Sequence, residues 1–231
     1  AIESFAADVA HEIKNPLTSL RSAVETMQYA RTPEQRQRLL DVISHDVGRM
    51  DRLVTDISNA SRLDAELVRE KMAPFDIVRL VEMLAGVTRA QGEARGVSVE
   101  ARLPQGRVAV RGLEGRIAQV VTNLLDNALS FSPEGGRITV SVEPRPGAVR
   151  VSVADQGPGV PAENIRSVFE RFYTERPDAE GFGNHSGLGL SISHQIVEAH
   201  GGRIWVENIH PEGGGPDGER LGARFVFDLP M

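Results

Sequence analysis

Cysteine is absent from the 231 residues. That excludes a disulfide framework, a thiolate metal site and a cysteine nucleophile, and it fits a reducing compartment. Long apolar runs are also missing: no stretch approaches the ~18 residues of a membrane helix, and no basic-then-apolar leader opens the chain. The chain as it stands is expected to be soluble. Basic residues are outnumbered, 26 against 32 acidic, for a formal charge of -6, which argues against a nucleic-acid partner. Lysine is nearly absent, only Lys14 and Lys71, and no mechanism follows from that. What remains is ordinary globular composition, 40% hydrophobic and 25% charged, enough for one or two domains with their own cores. Ala1 opens the chain without Met in helical sequence, so a longer parent protein is expected.

Glycine and proline are scarce over residues 1 to 70, where only Gly48, Pro16 and Pro33 occur. This half is predicted to be helical. Leu40, Ile43, Val47, Met50, Val54 and Ile57 recur at alternating spacings of three and four, the heptad stripe of a bundle helix. Phe5, Val9, Ile13, Leu17, Leu20, Val24 and Met27 form a similar stripe before it. Thr32-Pro33-Glu34-Gln35 supplies a capping Thr, Pro at the first helical position and Gln three residues after the cap, which is a helix start. The segment is therefore an antiparallel helical hairpin. Two helices of roughly 30 residues run about 45 Å, too long to cover their own stripes, so pairing of two hairpins into a four-helix dimer is expected.

From Pro74 the character changes to α+β. β-branched runs occur near 97–101, 107–110, 137–143, 148–154, 203–208 and 223–229, with helical patterns near 76–95, 113–131, 161–169 and 187–200. Gly213 to Gly218 reads as a flexible turn between the last two strands.

Four motifs carry chemistry. His11-Glu12-Ile13-Lys14-Asn15-Pro16 sets a mostly neutral imidazole beside a carboxylate. One ring nitrogen of His11 can attack an electrophile while Glu12 takes the proton released from the other. Asn15, one helical turn from His11, could orient a water there, and Pro16 is expected to bend the helix. Asn123-Leu124-Leu125-Asp126-Asn127 puts two amides on one helix face; Asn127 and Asn123 suit a Mg²⁺ shared with phosphates, or structural hydrogen bonds. Asp155-Gln156-Gly157-Pro158-Gly159 follows a β-run, where a carboxylate can accept the amino group of adenine and glycines admit the ring, though any tight turn has this form. Ser186-Gly187-Leu188-Gly189 enters an amphipathic helix, and helix-start N–H groups bind phosphate.

In this order and spacing the four motifs resemble the transmitter region of bacterial sensor histidine kinases, and Val168-Phe169-Glu170-Arg171-Phe172-Tyr173 looks like that family's phenylalanine box. The resemblance spans nearly the whole chain. It implies a dimerisation and phosphotransfer domain at residues 1–68 and a catalytic ATP-binding domain at 74–231, the latter an α/β sandwich of the Bergerat fold. It further implies that His11 is the phosphoacceptor, Glu12 its general base and Asn15 the residue used in dephosphorylating a partner. Asn127 would hold Mg²⁺, Asn123 would support it, Phe131 would flank the adenine and Asp155 would read it. Gly157, Gly159, Ser186, Gly187, Leu188 and Gly189 would surround the nucleotide, with a lid from about 171 to 186. The implied partners are a response-regulator receiver domain and a second copy of the chain, with ATP and Mg²⁺ as cofactors, in the cytoplasmic portion of an inner-membrane protein.

Three positions depart from the family pattern. Ser130 and Thr174 stand where many members carry Lys or Arg, and His185 where the second glycine box often begins with Gly. Phosphate contacts would then fall to Arg171, Arg176 or His185. The lid sequence around Phe172 to Pro177 and Asn184 to Ser186 is similar to an envelope- or acid-sensing branch of alphaproteobacterial kinases. The departures motivate a competing reading, an ATP-binding dimeric scaffold without autokinase activity; intact His11, Glu12, Asn127 and Asp155 speak against it. A third reading, an ATPase that drives conformational change, predicts turnover without a phosphoprotein.

Overall fold

A computed structural model describes residues 2–171, 173, 187–211 and 218–231. The chain divides into a helical unit, made chiefly of residues 1–66, and an α/β unit of residues 67–169 and 190–231.

The helical unit is α1 (Ile2–Met27) and α2 (Pro33–Arg69) joined by a short turn. The turn closes as its sequence predicts. Thr32 Oγ1 accepts from the Gln35 N–H at 3.2 Å, and Gln35 Oε1 accepts from the N–H groups of Thr32 at 3.3 Å and Arg31 at 2.9 Å. This reciprocal box satisfies donors that a helix start leaves orphaned. α1 continues through Pro16, although proline supplies no N–H for the carbonyl four residues earlier.

Burial along both helices follows a heptad one position out of phase with parts of the expected stripes. In α2, Leu39, Ile43, Asp46, Met50, Leu53 and Ile57 are covered or half-covered, while Leu40, Val47 and Val54 are 51%, 54% and 55% exposed. In α1, Pro16 and Ala23 are covered and Val9, Ile13, Leu20 and Met27 half-covered, while Leu17 and Val24 stand open. The apolar surface is therefore wider than a single seam: each helix carries a covered stripe and an open one side by side.

The α/β unit is built on a five-stranded sheet of order β2-β4-β5-β7-β6, with β2 (Ser98–Arg102) parallel to β4 (Arg137–Arg145) and every other pair antiparallel. β5 (Ala148–Ala154) is central, and its alternation buries Val149, Val151 and Val153 completely. β6 (Arg203–Ile209) and β7 (Gly222–Pro230) complete the sheet. α3 (Ile77–Glu93), α4 (Glu114–Phe131) and α5 (Gly189–Ala199) turn apolar stripes inward, Ile117, Val120, Val121, Leu124 and Leu125 from α4 among them. On the other face Arg150 makes two 2.8 Å bonds to the Asp228 carboxylate and lies over the Trp205 ring.

Two elements differ from expectation. β1 (Ala73–Asp76) is a strand, paired with β3 (Ala109–Gly112) in a separate two-stranded sheet. It is four residues long and contains Pro74, so its sequence looks like a domain boundary. Residues 161–169 are two single 3₁₀ turns, Ala162–Asn164 and Ser167–Phe169, rather than one helix; each is too short for an α-helical ladder.

Candidate functional site

Asp155 directly follows β5 and is 4% exposed. Its N–H donates to the Ala223 carbonyl at 2.9 Å, which ties it to β7. Its Oδ1 accepts from the N–H of Gly157 at 2.8 Å and of Ala223 at 3.3 Å. Its Oδ2 takes no hydrogen bond among the described residues. Burial pushes the carboxyl above its ordinary value, and the two N–H bonds pull it part of the way back. The side chain is thus oriented by one oxygen while the other stays available to an N–H donor.

The loop after Asp155 lies against the end of α4. A Cβ on Gly157 would sit 2.7 Å from the Phe131 carbonyl oxygen and 3.1 Å from Phe131 Cβ, so glycine is required for the approach. Phe131 itself is half-buried. One turn earlier, the half-buried Asn127 amide makes no hydrogen bond among the described residues. Asn123 is committed differently: its Nδ2 donates to Ser193 Oγ on α5 at 3.2 Å, and Ser193 is fully buried. Of the two amides on one face, only Asn127 is left for an outside ligand. Among the described residues no cluster of His, Asp or Glu could hold a metal. A cation here would rely on a neutral amide oxygen and on the oxygens of its own ligand, an arrangement that suits Mg²⁺.

In the second glycine segment, Gly187 adopts a φ of 71° and Leu188 is fully buried just before Gly189 starts α5. Phe169 packs edge-on to Phe225 at 6.3 Å and against His194 at 5.8 Å. Phe172, Thr174, Arg176, His185 and Ser186 lie outside the described residues. His11, Glu12 and Asn15 lie in α1, with Asn15 exposed; the side chains of His11 and Glu12 are outside the described part.

Gly222 and Asn208 also border the site, although neither lies in the four motifs. A Cβ on Gly222 would collide with the Asp155 carbonyl oxygen, and its φ of 152° lies where side chains are disfavoured. A glycine at the very start of a β-run was the available signal. Asn208 bonds the backbone of Val160 and left no mark in the sequence.

Residues 112–231 match the family described as histidine kinase-, DNA gyrase B-, and HSP90-like ATPase, and residues 1–66 match the His Kinase A (phospho-acceptor) domain. Sensor protein ChvG of Rhizobium meliloti (strain 1021) is 52% identical over 237 residues, covering 100% of this chain and 40% of that protein. The signal transduction histidine-protein kinase BaeS of Escherichia coli (strain K12) is 36% identical over 203 residues, 87% of this chain and 42% of that protein. The chain spans about two fifths of the length of these relatives. In the crystal structure of histidine kinase ThkA in complex with response regulator protein TrrA, the matching chain is 27% identical with a TM-score of 0.76, over 98% of this chain and 61% of that one.

Proposed function

The chain belongs to the sensor histidine kinases, whose phospho-acceptor and ATPase modules it carries in order, and on that premise we propose that ATP held at Asp155 and Asn127 phosphorylates His11. The observation that carries this reading is the half-satisfied Asp155 carboxylate. One oxygen is fixed by Gly157 and Ala223, and the other is left for the amino group of adenine. Phe131 flanks the base, and Gly157 and Gly159 let the backbone approach it. Gly187, Leu188, Gly189 and Ser186 meet the phosphates at the start of α5.

His11 acts as the nucleophile. One ring nitrogen bonds to the γ-phosphorus as the bridging oxygen leaves with ADP, and Glu12 takes the imidazole proton. Mg²⁺ bound at the Asn127 amide would neutralise charge on the phosphates during transfer. Asn123 acts at one remove by fastening α4 to α5. The phosphoryl group then passes to an aspartate of a receiver domain, and Asn15 orients a water for the reverse, dephosphorylating output. The named complex of ThkA with TrrA supports a regulator as partner. Leu17, Val24, Leu40, Val47 and Val54, open at heptad spacing, support a homodimer through the hairpin. On this reading residues 1–68 are the phosphotransfer domain and 74–231 the ATP-binding domain, in the cytoplasmic part of a membrane-anchored parent. No described helix is long and apolar enough to cross a membrane, so the anchor would lie elsewhere in that parent.

Incubating the chain with radiolabelled ATP and Mg²⁺ tests the proposal. Acid-labile, base-stable label is expected on the wild type and absent from His11→Gln and Asn127→Ala. A wild type that binds ATP and dimerises yet stays unlabelled would replace this reading with the scaffold. Turnover without labelled protein would replace it with an ATPase.

A further inference from the structure

The loop that follows Asp155 is held at both ends, and the two anchors differ in kind. At its start the hold is on the sheet: Asp155 bonds Ala223 of β7, and Gln156 Oε1 accepts from the Arg137 N–H of β4 at 2.9 Å. At its far end a single side chain does the work. The Val160 N–H donates to Asn208 Oδ1 at 2.7 Å, and Asn208 Nδ2 donates to the Val160 carbonyl at 2.6 Å. An amide offers one acceptor and one donor side by side, so Asn208 gives Val160 the pair of bonds that a neighbouring strand would give.

The loop also closes down on that side chain. Gly159 has a φ of 72°, and a Cβ there would lie 2.8 Å from Asn208 Oδ1 and 3.1 Å from the Arg220 side chain. Asn208 stands opposite Ala223 in the β6–β7 register, and Ala223 is the residue that holds Asp155. Asp155, Ala223, Asn208 and Val160 therefore form a closed frame around the loop.

We infer that Asn208 is a positioning residue of the nucleotide site, which through Val160 fixes the loop Gln156–Val160 and with it the placement of Asp155 against the base. The inference rests on the reading of Asp155 as the adenine contact. Asn208 is not within the four motifs, touches no reacting atom in that reading and acts only through backbone. Its loss lets the far end of the loop relax while the Asp155–Ala223 end holds. Base discrimination then falls, while the chemical step at saturating nucleotide is kept.

The test is calorimetric titration of the whole chain with ADP and with GDP, joined to a labelling time course. The wild type is expected to prefer ADP. Asn208→Ala is expected to weaken ADP binding about tenfold, the scale of one or two lost hydrogen bonds, and to narrow the ADP:GDP preference. Labelling at saturating ATP should stay within about twofold of wild type, which a KM-against-kcat split reads directly. Asn208→Asp keeps the acceptor for the Val160 N–H but sets a carboxylate oxygen against the carbonyl, so a smaller change in the same direction is expected. It also serves if the Ala variant does not fold. If both variants lose thermal stability but keep the wild-type ADP:GDP preference, the role is structural and the inference is overturned. If the wild type itself shows no preference, or Asp155→Asn binds ADP normally, the assignment of the site fails first.

Discussion

The Nε2 of His200 accepts the backbone N–H of Leu113 at 2.9 Å, while its Nδ1 lies 2.7 Å from the Ile196 carbonyl. A carbonyl only accepts, so Nδ1 carries the proton and the buried imidazole is neutral. Leu113 is the N-cap of α4 and has no side-chain cap of its own. The far end of α5 therefore orients the start of the helix that carries Asn127.

His200→Phe would leave the Leu113 N–H buried without an acceptor. A loss of about 1–3 kcal/mol is expected from such an unpaired group, measured by chemical denaturation of the whole chain. An unchanged midpoint would mean that the bond contributes nothing.

Asp155 sets stability against binding. Its carboxyl is raised by burial, so between the ordinary and the raised value the folded chain holds more protons than the unfolded one, and stability falls as pH rises through that window. Asp155→Asn keeps Oδ1 for Gly157 and Ala223 but removes the charge. Relative to wild type, the variant should be more thermally stable at neutral pH than near the reference carboxylate value of about 3.9, where the advantage should vanish. It should also lose ADP affinity, because an amide nitrogen cannot accept the adenine amino group. A variant that is equally destabilised at both pH values would refute the argument.

The two asparagines of α4 should separate cleanly. Asn127→Ala is expected to leave the melting temperature unchanged and to cut labelling more than about a hundredfold, the scale of losing one transition-state electrostatic contact. Asn123→Ala loses the bond to Ser193 and should cost about 1 kcal/mol of stability with labelling largely retained at saturating ATP. The reverse pattern would exchange their roles.

Val47 lies at the middle of the open stripe of α2, 54% exposed. Val47→Glu should weaken self-association by more than about tenfold, read by sedimentation equilibrium. Helicity by circular dichroism should not change, since Val47 is exposed and does not belong to the covered stripe of α2. An unaltered association constant would remove the stripe from the dimer contact.

Where the physics is local, the sequence was legible. Thr32 and Gln35 announce the hairpin turn because a capping box needs residues only three apart, and the alternation of Val149, Val151 and Val153 announces β5. Asp155 and Asn127 stood out as candidates only through the order of the four motifs and the family resemblance, since each motif alone also fits a turn or a structural hydrogen bond. What escaped depends on partners far along the chain. Gly222 matters only because β7 brings it to Asp155, and Asn208 only because β6 brings it to Val160, 48 residues away. β1 escaped because Pro74 and a length of four hide a strand that exists by virtue of β3. The heptad phase escaped because α2 carries more apolar positions than one seam can use.

That surplus gives α2 two adjacent alignments of its apolar positions. Ile43, Met50 and Ile57 belong to both, and the alternatives are Leu39 or Leu40, Asp46 or Val47, and Leu53 or Val54. Adjacent residues stand about 100° apart around a helix axis, so a fraction of a turn separates the two alignments. Only the middle pair differs in chemistry. The alignment closed within the hairpin covers the Asp46 carboxylate, whose Oδ2 has no hydrogen-bond partner among the described residues and whose Oδ1 lies 3.5 Å from His45 Nδ1, and leaves a valine outside. Hydrophobicity alone would choose the opposite. α2 thus turns one acid into the hairpin and one valine toward the face proposed for a second copy, so both stripes are in use at once.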